Sequence, residues 1–396
     1  MIITSLLDTD FYKLTMMQAI YHKYTDVYVD YAFKWRNWDN MILNDDVYDF
    51  INKIDKEIDN LCQLKFKPTE LQYLESIPFI KRDFVDFLRL FKLNRDHIKV
   101  YEKHGKPQIR ISGPWLNTIL FEVPVLAIVS ELYTRNFDDM EKIKNVAISR
   151  LLNKIDYINR KAPPYFKYGD FGTRRRATKE FQDLMIHNHL TYLFDNNLIG
   201  TSNVYFAKKY NIKPLGTHAH EWFQGHQQLN TRLINSQRDA LQSWADEYRG
   251  ELGIALSDCI TFDAFLKDFD KYFAKLFDGC RHDSGDPFEW TDKLIDHYNK
   301  LKIDPKTKTA LYSDGLNLER ALTLYKKYSN KINTSFGIGT YLTNDCGFEA
   351  PQIVIKMVNC NNLPVAKISD SKGKGMCEDI EFENYLKKVI NQKLNY

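Results

Sequence analysis

The chain of 396 residues lacks the features that would bind it to nucleic acid, to a membrane surface or to an oxidising compartment. Its 55 lysines and arginines nearly balance 52 aspartates and glutamates, so the net charge of +3 gives no case for nucleic acid or anionic membrane as a partner. Its six cysteines include no CxxC pair. In a chain of this length, that spacing argues for reduced thiols and against a disulfide framework or a structural zinc site.

Targeting signals and one common nucleotide-binding motif are also lacking. The opening MIITSLLDTDFYK has no basic stretch followed by a long apolar run, so we expect no signal peptide. No window approaches the roughly 20 uninterrupted apolar residues that a membrane span needs. No GxxxxGK[ST] occurs, which disfavours a P-loop ATPase. The sequence therefore predicts a cytoplasmic protein.

What the sequence does contain, from about residue 120, is an alternation of short apolar runs and helix-length amphipathic segments. This alternation predicts βα units with parallel strands, and seven such units favour a closed or nearly closed β/α barrel. The predicted helices are 177–195, 227–248, 262–276, 288–302 and 317–329. The loops after the apolar runs are DFGTRR (170–175), GTSN (200–203), GTHAHE (216–221), LSDC (256–259), RHDSGD (281–286), YSDGL (312–316) and FGIGT (336–340).

These loops are rich in Gly, Asp, Ser and Arg, and in a barrel the loops after the strands share the face where active sites are built. Ordinary turns and helix caps use the same residue types, which explains one or two such loops better than seven. Outside this region, VYVDYAFKW near the N-terminus and IVIKMV and PVAKIS in the tail are strand-like. We expect the tail to fold back onto the N-terminal half.

The stretch GTHAHEW places His218 and His220 two residues apart. A metal site would need both on one face and further ligands, for which His282 is a candidate. Alternatively, one histidine is a nucleophile that a neighbouring group orients. The motif alone does not choose between these readings.

Three other loops suggest anion and sugar binding. In DFGTRRRAT, arginines 174–176 come at a predicted helix start, where positive charge opposes the helix dipole, so we expect at least one to bind an anionic ligand. FGIGT could cradle a phosphate on free backbone N–H groups, although a tight turn explains it equally well. Asp283 and Asp314 could accept from sugar hydroxyls or hold Mg²⁺ through water, whereas Asp286 before Pro287 suits a helix cap.

Taken in order, the motifs TDFYKLTM, DFGTRRRAT, GTSNVYFA, GTHAHEW, HDSGDP, SDGL and FGIGTYLTND resemble the nicotinate phosphoribosyltransferase family from about residue 8 to about residue 370. The resemblance implies an α/β fold of the type II phosphoribosyltransferases. An irregular β/α barrel (120–345) would carry the active site. A second, smaller α/β domain would be formed by the N-terminal region (1–119) and the C-terminal tail (346–396).

The reaction that the resemblance implies makes nicotinate mononucleotide and pyrophosphate from nicotinate and phosphoribosyl pyrophosphate, in NAD salvage. It is coupled to ATP hydrolysis through a phosphohistidine. Mg²⁺ would enter with pyrophosphate or ATP, and no metal held directly by protein ligands is implied. The partners would be these substrates and, as in dimeric relatives, a second copy of the chain.

The same resemblance assigns roles to residues. His220 matches the phosphoryl acceptor of the family's GTxAHE motif, and His218 falls on its variable position. Tyr12 and Phe171 match the residues that contact the pyridine ring, and Arg281 matches the one that faces the nicotinate carboxylate. Asp283 and Asp314 match residues around the ribose, and Gly339 with Thr340 matches the site of the 5′-phosphate. Arg174 and Arg36 match pyrophosphate contacts, and Lys356 and Lys367 are further phosphate contacts.

Three other functions remain in competition. The amide-using relative, nicotinamide phosphoribosyltransferase, carries an aspartate after the GT of the loop where this chain has Ser202. Serine avoids a second negative charge beside nicotinate and can donate a hydrogen bond to the substrate, so we predict the acid as substrate. The other two candidates are a metal-dependent barrel hydrolase using both histidines and a non-catalytic phosphosugar-binding protein.

Overall fold

The computed structural model describes residues 1–44, 46–229, 232–371, 373 and 375–395. The chain divides into two compact units. Unit 1 contains Met1–Thr25, Tyr31–Gly216 and Ile338–Ile355, and unit 2 contains Asp26–Asp30, Thr217–Gly337 and Lys356–Tyr396. Because each unit collects separate chain segments, these bounds differ from the segments expected from the sequence. The segmentation into 1–119, 120–345 and 346–396 stays a prediction.

The helices and strands cover most of the described chain. The helices are α1 (Phe11–Lys23), α2 (Val47–Cys62), α3 (Pro68–Glu75), α4 (Arg82–Leu90), α5 (Trp115–Thr118), α6 (Glu122–Thr134), α7 (Met140–Lys161), α8 (Lys179–Tyr192), α9 (Val204–Tyr210), α10 (His220–Leu229), α11 (Ser236–Tyr248), α12 (Phe262–Asp268), α13 (Lys271–Leu276), α14 (Pro287–Lys300), α15 (Leu318–Tyr328), α16 (Thr340–Thr343) and α17 (Ile380–Asn395). The strands are β1 (Tyr28–Trp35), β2 (Ile98–Lys103), β3 (Lys106–Pro114), β4 (Tyr168–Asp170), β5 (Leu198–Thr201), β6 (Lys213–Pro214), β7 (Ile254–Leu256), β8 (Gly279–His282), β9 (Thr309–Tyr312), β10 (Asn333–Ile338), β11 (Ile353–Cys360) and β12 (Leu363–Pro364).

One sheet has five strands in the order β12-β11-β1-β3-β2. Strands β2 and β3 form an antiparallel hairpin, and β11 pairs antiparallel with β12. Burial alternates along β3, as expected for a strand with one face on a core. This sheet combines the N-terminal strands with strands of the tail, which confirms the predicted second α/β region. Most of PVAKIS, however, lies beyond the two-residue strand β12 and contributes only isolated bridges.

The other sheet has seven strands in the order β6-β5-β4-β10-β9-β8-β7. Its described pairings, from β4 to β6 and from β7 to β10, are parallel. The strands are short, and a helix or helical turn follows almost every one, so their carboxyl ends carry the loops that the sequence singled out. This arrangement confirms the irregular β/α barrel.

Helices follow the predicted pattern with two differences. The segment predicted as 227–248 contains two helices, α10 and α11, with a short 3-10 turn over Leu233–Asn235 before the second. The segment predicted as 262–276 is divided between α12 and α13, because Asp270 caps a new helix by accepting from the N–H groups of Tyr272 and Phe273. The predicted cap at Asp286 is confirmed, since its carboxylate accepts from Phe288 and Glu289.

The most apolar helical segment of the described chain is Trp115–Thr134, which contains α5 and α6. Its 20 residues are long and apolar enough on average to cross a membrane, but Asn117, Glu122 and Ser130 interrupt it, so it is not the uninterrupted apolar run that the sequence was found to lack. Of its apolar window, 89% is buried inside the structure, and it even carries the buried carboxylates of Glu122 and Glu131. The segment therefore packs as a core helix of unit 1.

Candidate active site

In unit 1, the three arginines of DFGTRRRAT do not begin a helix. They lie in a 3-10 turn and the residue after it, and α8 begins only at Lys179, with the Thr178 hydroxyl accepting from Phe181 N–H as the cap. Arg176 is fully buried and donates to both carboxylate oxygens of Asp8, at 2.7 and 2.9 Å. The expected conflict with a helix dipole is therefore absent. Arg176 has a protein carboxylate as its anion and is not solvated.

Asp8 is the centre of this buried network. Besides Arg176, its carboxylate contacts Lys179 Nζ at 3.1 Å and accepts from Asn203 Nδ2 at 2.7 Å. Burial alone would raise the pKa of Asp8, but the Arg176 guanidinium and Lys179 hold that pKa well below its usual range. Asp8 is therefore ionised, as a structural ion pair with Arg176 requires.

A second buried carboxylate, Asp170, ends β4. It accepts from Gln182 Nε2 at 2.8 Å, from the Thr201 hydroxyl at 2.7 Å and from Gly172 N–H at 2.9 Å. Burial raises the pKa of Asp170 to about 6 in spite of these bonds. The side chain fixes the start of the loop that bears Phe171, and it ties that loop to β5.

The Ser202 hydroxyl donates to Asp10 Oδ1 at 2.7 Å. The two chain segments also meet through Phe11 N–H, which donates to Ser202 O at 2.7 Å. A hydroxyl has one proton, so the hydrogen bond from Ser202 to the substrate that the sequence suggested is already given to Asp10. Burial raises the pKa of Asp10, although the charge of Arg174 opposes that shift.

Arg174 is partly accessible, with 42% of its side chain exposed, whereas Arg176 is fully buried. It forms an ion pair with Glu122 at 3.6 Å, and Glu122 also binds the buried ammonium of Lys13 at 2.5 Å. An anionic ligand can therefore reach the Arg174 side chain, as the resemblance requires. Arg175, by contrast, donates from Nε to Ile353 O at 3.0 Å.

The remaining predicted residues of unit 1 fall on four segments. Tyr12 lies in the first turn of α1 and is 8% exposed. Phe171 follows β4 and is partly exposed, and a Cβ on Gly339 would lie 2.9 Å from the Phe171 carbonyl oxygen, so only glycine permits this approach. Thr340 begins α16 directly afterwards, and Arg36 follows β1, where its N–H donates to Gln352 O at 3.0 Å.

In unit 2, His220 begins α10 and lies in a cluster of charged side chains. Its Nε2 is 2.6 Å from Lys367 Nζ, 3.0 Å from Asp258 Oδ1 and 3.6 Å from Asp283 Oδ2. Lys367 also donates to Asp258 Oδ2 at 2.9 Å, and that oxygen accepts from the Ser284 hydroxyl at 2.6 Å. The His220 side chain is 15% exposed, so a ligand can reach it, whereas Lys367 and Asp258 are almost fully buried.

The charges of this cluster are set by burial and by each other. Burial and the Lys367 ammonium lower the pKa of His220 to about 4, so the ring is neutral at neutral pH. Burial alone would raise the pKa values of Asp258 and Asp283. The contacts with His220 and Lys367 hold the pKa of Asp258 well below its usual range, and Arg281 with His220 lowers that of Asp283. A neutral imidazole with an available lone pair is what a nucleophile requires.

His218 has a different environment from His220. It is fully buried between aromatic rings, with Trp244 at 4.7 Å and Phe223 at 5.2 Å between ring centroids, both edge-on. Neither ring nitrogen has a hydrogen-bond partner among the residues that the structure describes. Burial lowers the pKa of His218 well below 6.5. This histidine is a packing residue.

The other predicted residues of unit 2 lie on β8, after β9 and on β11. Arg281 and Asp283 flank the end of β8, and the Ser313 hydroxyl after β9 donates to Asp283 Oδ1 at 2.8 Å. Asp314 follows Ser313, and its charge opposes the lowering of the His282 pKa that burial causes. Lys356 lies on β11, and its charge opposes the rise in the pKa of the Cys259 thiol that burial causes.

Within the described chain, one group of side chains has the geometry to hold a metal ion: His220, Asp258 and Asp283, whose ligand atoms lie within 4.8 Å of one another. His218 is not in this group, which removes the basis for a hydrolase with both histidines as ligands. The Lys367 ammonium already contacts His220 and Asp258. It supplies the positive charge that a metal would otherwise bring.

Two members of the cluster, Asp258 and Lys367, were not connected with His220 in the sequence interpretation. Asp258 lies in the loop LSDC, which was recognised as a strand-end loop, but nothing in the sequence connects it with His220, 38 positions away. Lys367 was expected only as a phosphate contact. Its hydrogen bond to His220 joins residues 147 positions apart and depends on where the tail returns.

Comparison with known proteins agrees with this architecture. Residues 7–130 match the N-terminal domain of the nicotinate phosphoribosyltransferase (NAPRTase) family, and residues 166–394 match the NAPRTase family itself. A nicotinate phosphoribosyltransferase of Ectopseudomonas mendocina is 50% identical over 394 residues, covering 98% of this chain and 97% of the relative. Nicotinate phosphoribosyltransferase 1 of Pseudomonas aeruginosa is 48% identical over 395 residues, covering 98% and 97%.

Solved structures give the same result. The crystal structure of nicotinate phosphoribosyltransferase from Vibrio cholerae has a TM-score of 0.91 and 39% identity, covering 98% of this chain and 94% of that one. The enzyme from Porphyromonas gingivalis has a TM-score of 0.88 and 32% identity, covering 99% and 100%. With matches along nearly the whole chain in sequence and in structure, this protein belongs to the nicotinate phosphoribosyltransferase family.

Proposed function

We propose that this protein transfers the phosphoribosyl group of phosphoribosyl pyrophosphate to nicotinate, giving nicotinate mononucleotide and pyrophosphate, and that it couples this transfer to ATP hydrolysis through a phosphohistidine at His220. The whole-chain similarity to nicotinate phosphoribosyltransferases supports the transfer reaction. The coupling is supported by one observation in particular: His220 is a neutral, partly accessible imidazole within a cluster of charged side chains.

The ribosyl transfer needs little acid–base chemistry from the protein. The bond from C1′ to the pyrophosphate oxygen breaks, the bonding electrons leave with pyrophosphate, and the pyridine nitrogen forms the new bond to C1′. That nitrogen carries no proton at neutral pH, so no general base is required. Positioning of the substrates and cationic side chains near the leaving group supply most of the rate enhancement.

In the ATP-dependent step, a ring nitrogen of His220 attacks the γ-phosphorus. The N–P bond forms, the bond from the γ-phosphorus to the β,γ-bridging oxygen breaks, and ADP leaves with that electron pair. Water later attacks the phosphorus and returns the imidazole with release of phosphate. Lys367 can stabilise the charge on the transferring phosphoryl group, and Asp258 orients the ring.

The resemblance gives the residues of unit 1 a different task. Phe171 and Tyr12 are proposed to stack on the pyridine ring, and the partly exposed guanidinium side chain of Arg174 to bind pyrophosphate. Arg36 would add a second cation there. Gly339 and Thr340 would receive the 5′-phosphate on backbone and hydroxyl donors. These residues bind and position, since none of them must accept or donate a proton in the balanced reaction.

In unit 2, Arg281 is proposed to pair with the nicotinate carboxylate, while Asp283 and Asp314 accept from ribose hydroxyls. Mg²⁺ is proposed to enter as the complex of ATP or pyrophosphate. Asp283 is the member of the metal-capable group that Lys367 does not contact within hydrogen-bond distance, and 28% of its side chain is exposed. The Asp283 carboxylate would therefore be the group that accepts hydrogen bonds from water molecules coordinated to the cation.

Selectivity for the acid follows from Ser202 and Arg281. Because Ser202 donates to Asp10, an aspartate in its place would put two carboxylates within hydrogen-bond distance in a buried site. We therefore expect Ser202→Asp to reduce turnover of nicotinate severely, with Ser202→Ala as the control that removes the hydroxyl without adding charge. Wild-type turnover of nicotinamide as fast as nicotinate would contradict this account.

The direct test of the reaction is nucleotide formation from phosphoribosyl pyrophosphate with nicotinate, nicotinamide and quinolinate in parallel, each with and without ATP. We expect product with nicotinate, more of it when ATP is present, and ADP formed with it. Absence of product from nicotinate would refute the proposed reaction. Equal rates with and without ATP would refute the coupling alone.

His220→Ala tests the phosphohistidine. We expect it to abolish ATP hydrolysis and acid-labile phosphate on the protein, while a weak, ATP-independent ribosyl transfer remains. Unchanged ATP hydrolysis in this variant would refute the role of His220. The expected dimer and the cytoplasmic location stay predictions, as does the absence of nucleic-acid or membrane partners.

A further inference from the structure

Residues 365–371 of unit 2, which we call the tail strap, carry Lys367 to the His220 cluster. Lys367 Nζ lies 2.6 Å from His220 Nε2 and 2.9 Å from Asp258 Oδ2, and its side chain is 3% exposed. A lysine side chain is long and has many rotamers. Its exact placement therefore depends on what holds the backbone of the strap.

The strap is hydrogen-bonded on both of its edges. Ile368 N–H donates to Cys259 O at 2.9 Å, and Thr261 N–H donates to Ile368 O at 3.2 Å, so the strap runs parallel to the loop that contains Asp258. On the other edge, Lys367 exchanges two backbone hydrogen bonds with Met376, at 2.9 and 3.0 Å. The backbone around Lys367 is thus fixed by the two segments that lie beside the strap.

The side chain of Asp370 joins the strap to the beginning of α12. Its Oδ2 accepts from Phe262 N–H at 3.0 Å, directly after Thr261. Thr261 has φ +76°, a backbone conformation that is costly for a β-branched residue and persists only where the surroundings enforce it. The bonds from the strap to Thr261 and Phe262 lie on either side of this conformation and supply that enforcement.

A neighbouring contact joins the strap to the loop of Asp283. Gly285 N–H donates to the Ser371 hydroxyl oxygen at 2.9 Å, and Gly285 has φ +84°. A Cβ on Gly285 would lie 3.4 Å from Asp370 Cβ, so the two segments are in van der Waals contact. The strap therefore binds both loops that supply the carboxylates of the cluster.

From this geometry we propose that Asp370 is a positioning residue for phosphoryl transfer: it fixes the tail strap to the Asp258 loop and thereby keeps Lys367 on His220 and Asp258. The inference rests on the proposed phosphohistidine for its kinetic consequence, but the placement of Lys367 can be measured without it. Asp370 does not contact His220 in this arrangement. Its effect passes through the backbone of residues 367–370.

The experiment compares Asp370→Ala, Asp370→Asn and Asp263→Ala in the full chain. Asp370→Asn keeps an oxygen that can accept from Phe262 N–H, whereas Asp370→Ala removes it. Asp263→Ala is the matched control, because it removes an exposed carboxylate from the first turn of the same helix, where it pairs with Lys293.

Two measurements are made on each variant. The first is a crystal structure, for the distance from Lys367 Nζ to His220 Nε2. The second is the single-turnover rate of phosphohistidine formation from ATP. For Asp370→Ala we expect Lys367 to leave His220 and the rate to fall about tenfold, the equivalent of one positioned hydrogen bond to a charged group. For Asp370→Asn and Asp263→Ala we expect the wild-type distance and rates within about twofold.

Lys367 unmoved in Asp370→Ala would overturn the inference, as would an equal loss of rate in Asp370→Asn, which would assign the effect to charge. If Lys367 moves but wild-type protein forms no phosphohistidine, the positioning role stands and the proposed phosphohistidine falls. Should Asp370→Ala fail to fold, Ser371→Ala removes the neighbouring contact to Gly285. It is expected to shift Lys367 in the same direction by a smaller amount, and an unshifted Lys367 there would count against the strap.

Discussion

The two units each contain a cluster of buried charges, and the clusters differ in how firmly their protons are placed. In unit 1, the Asp8 carboxylate accepts from Arg176 and Asn203, donors that cannot reverse their roles. In unit 2, His220 Nε2 is within hydrogen-bond distance of the Lys367 ammonium and of the Asp258 carboxylate. One ring nitrogen cannot accept from the first and donate to the second at the same time.

This difference separates a structural network from a reactive one. In the network of Asp8 and Arg176, each hydrogen has one place, so removing Arg176 leaves a buried carboxylate without its main counter-charge, with Lys179 and Asn203 as its remaining partners. In the cluster of His220, the ring can change tautomer, or exchange a partner for a phosphoryl group, without leaving any carboxylate unpaired, because Lys367 and Ser284 continue to donate to Asp258. Similar burial therefore serves stability in one unit and chemistry in the other.

The largest effect is expected from breaking the network of unit 1. Arg176→Leu leaves Asp8 buried and without its principal partner, so we expect the free energy of unfolding to fall by about 3–5 kcal/mol in urea titration. The matched control is Arg160→Leu, which removes an exposed pair with Asp156 on α7 and should cost less than about 0.5 kcal/mol. Equal losses in the two variants would show that Arg176 is not a structural centre.

A smaller effect is expected from Phe171, which follows the fixed carboxylate of Asp170 but is itself partly exposed. Phe171→Ala should weaken nicotinate binding by roughly 1–3 kcal/mol, the range for a base stacked on an aromatic ring. Calorimetry should show that affinity for phosphoribosyl pyrophosphate changes much less. Loss of affinity for both substrates would instead indicate that the loop has collapsed.

How much of the fold and of the candidate site could be predicted from the sequence depends on how far apart along the chain the interacting residues lie. His220 and Asp283 lie in motifs whose order identified the family, and the fold class followed from alternating strands and helices. The pairing of Asp8 with Arg176 joins positions 168 residues apart, and neither residue has a local pattern that requires the other. The positive φ of Thr261 could not be predicted either, because a threonine in isolation disfavours it and only the tertiary contacts of the strap enforce it.

The pH dependence of two buried histidines offers a further comparison between the units. The pKa of His189 in unit 1 and that of His220 in unit 2 are both lowered to about 4, by burial in each case and in addition by the charge of Lys154 for His189 and of Lys367 for His220. The unfolded chain takes up the proton near pH 6.5, before the folded state does. The stability that the neutral rings contribute is thus complete above that pH and is lost as the pH falls towards 4, by up to about 1.4 kcal/mol per pH unit for each ring.

Lys367→Met distinguishes the two histidines. Removing the ammonium should raise the pKa of His220 and leave that of His189 unchanged, because His189 has Met185 O as its hydrogen-bond partner and lies in the other unit. Titration of both rings by nuclear magnetic resonance measures this directly. A His220 pKa that stays near 4 in the variant would mean that burial alone is responsible and that Lys367 has no electrostatic hold on the ring.

A small change in stability is expected from replacing His218, and this replacement is the sharpest test of which histidine reacts. Its ring packs edge-on against Trp244 and Phe223, and neither nitrogen has a hydrogen-bond partner among the described residues, so a phenyl ring can take its place at little cost. We expect His218→Phe to change the free energy of unfolding by less than about 1 kcal/mol, since overpacking and removal of a buried polar group offset each other.

ATP hydrolysis should be retained in His218→Phe. His220→Phe, a chemically identical substitution two positions away, should abolish hydrolysis, because phenylalanine has no nucleophilic nitrogen. Loss of ATP hydrolysis in a stably folded His218→Phe would show that the packing histidine also takes part in the reaction.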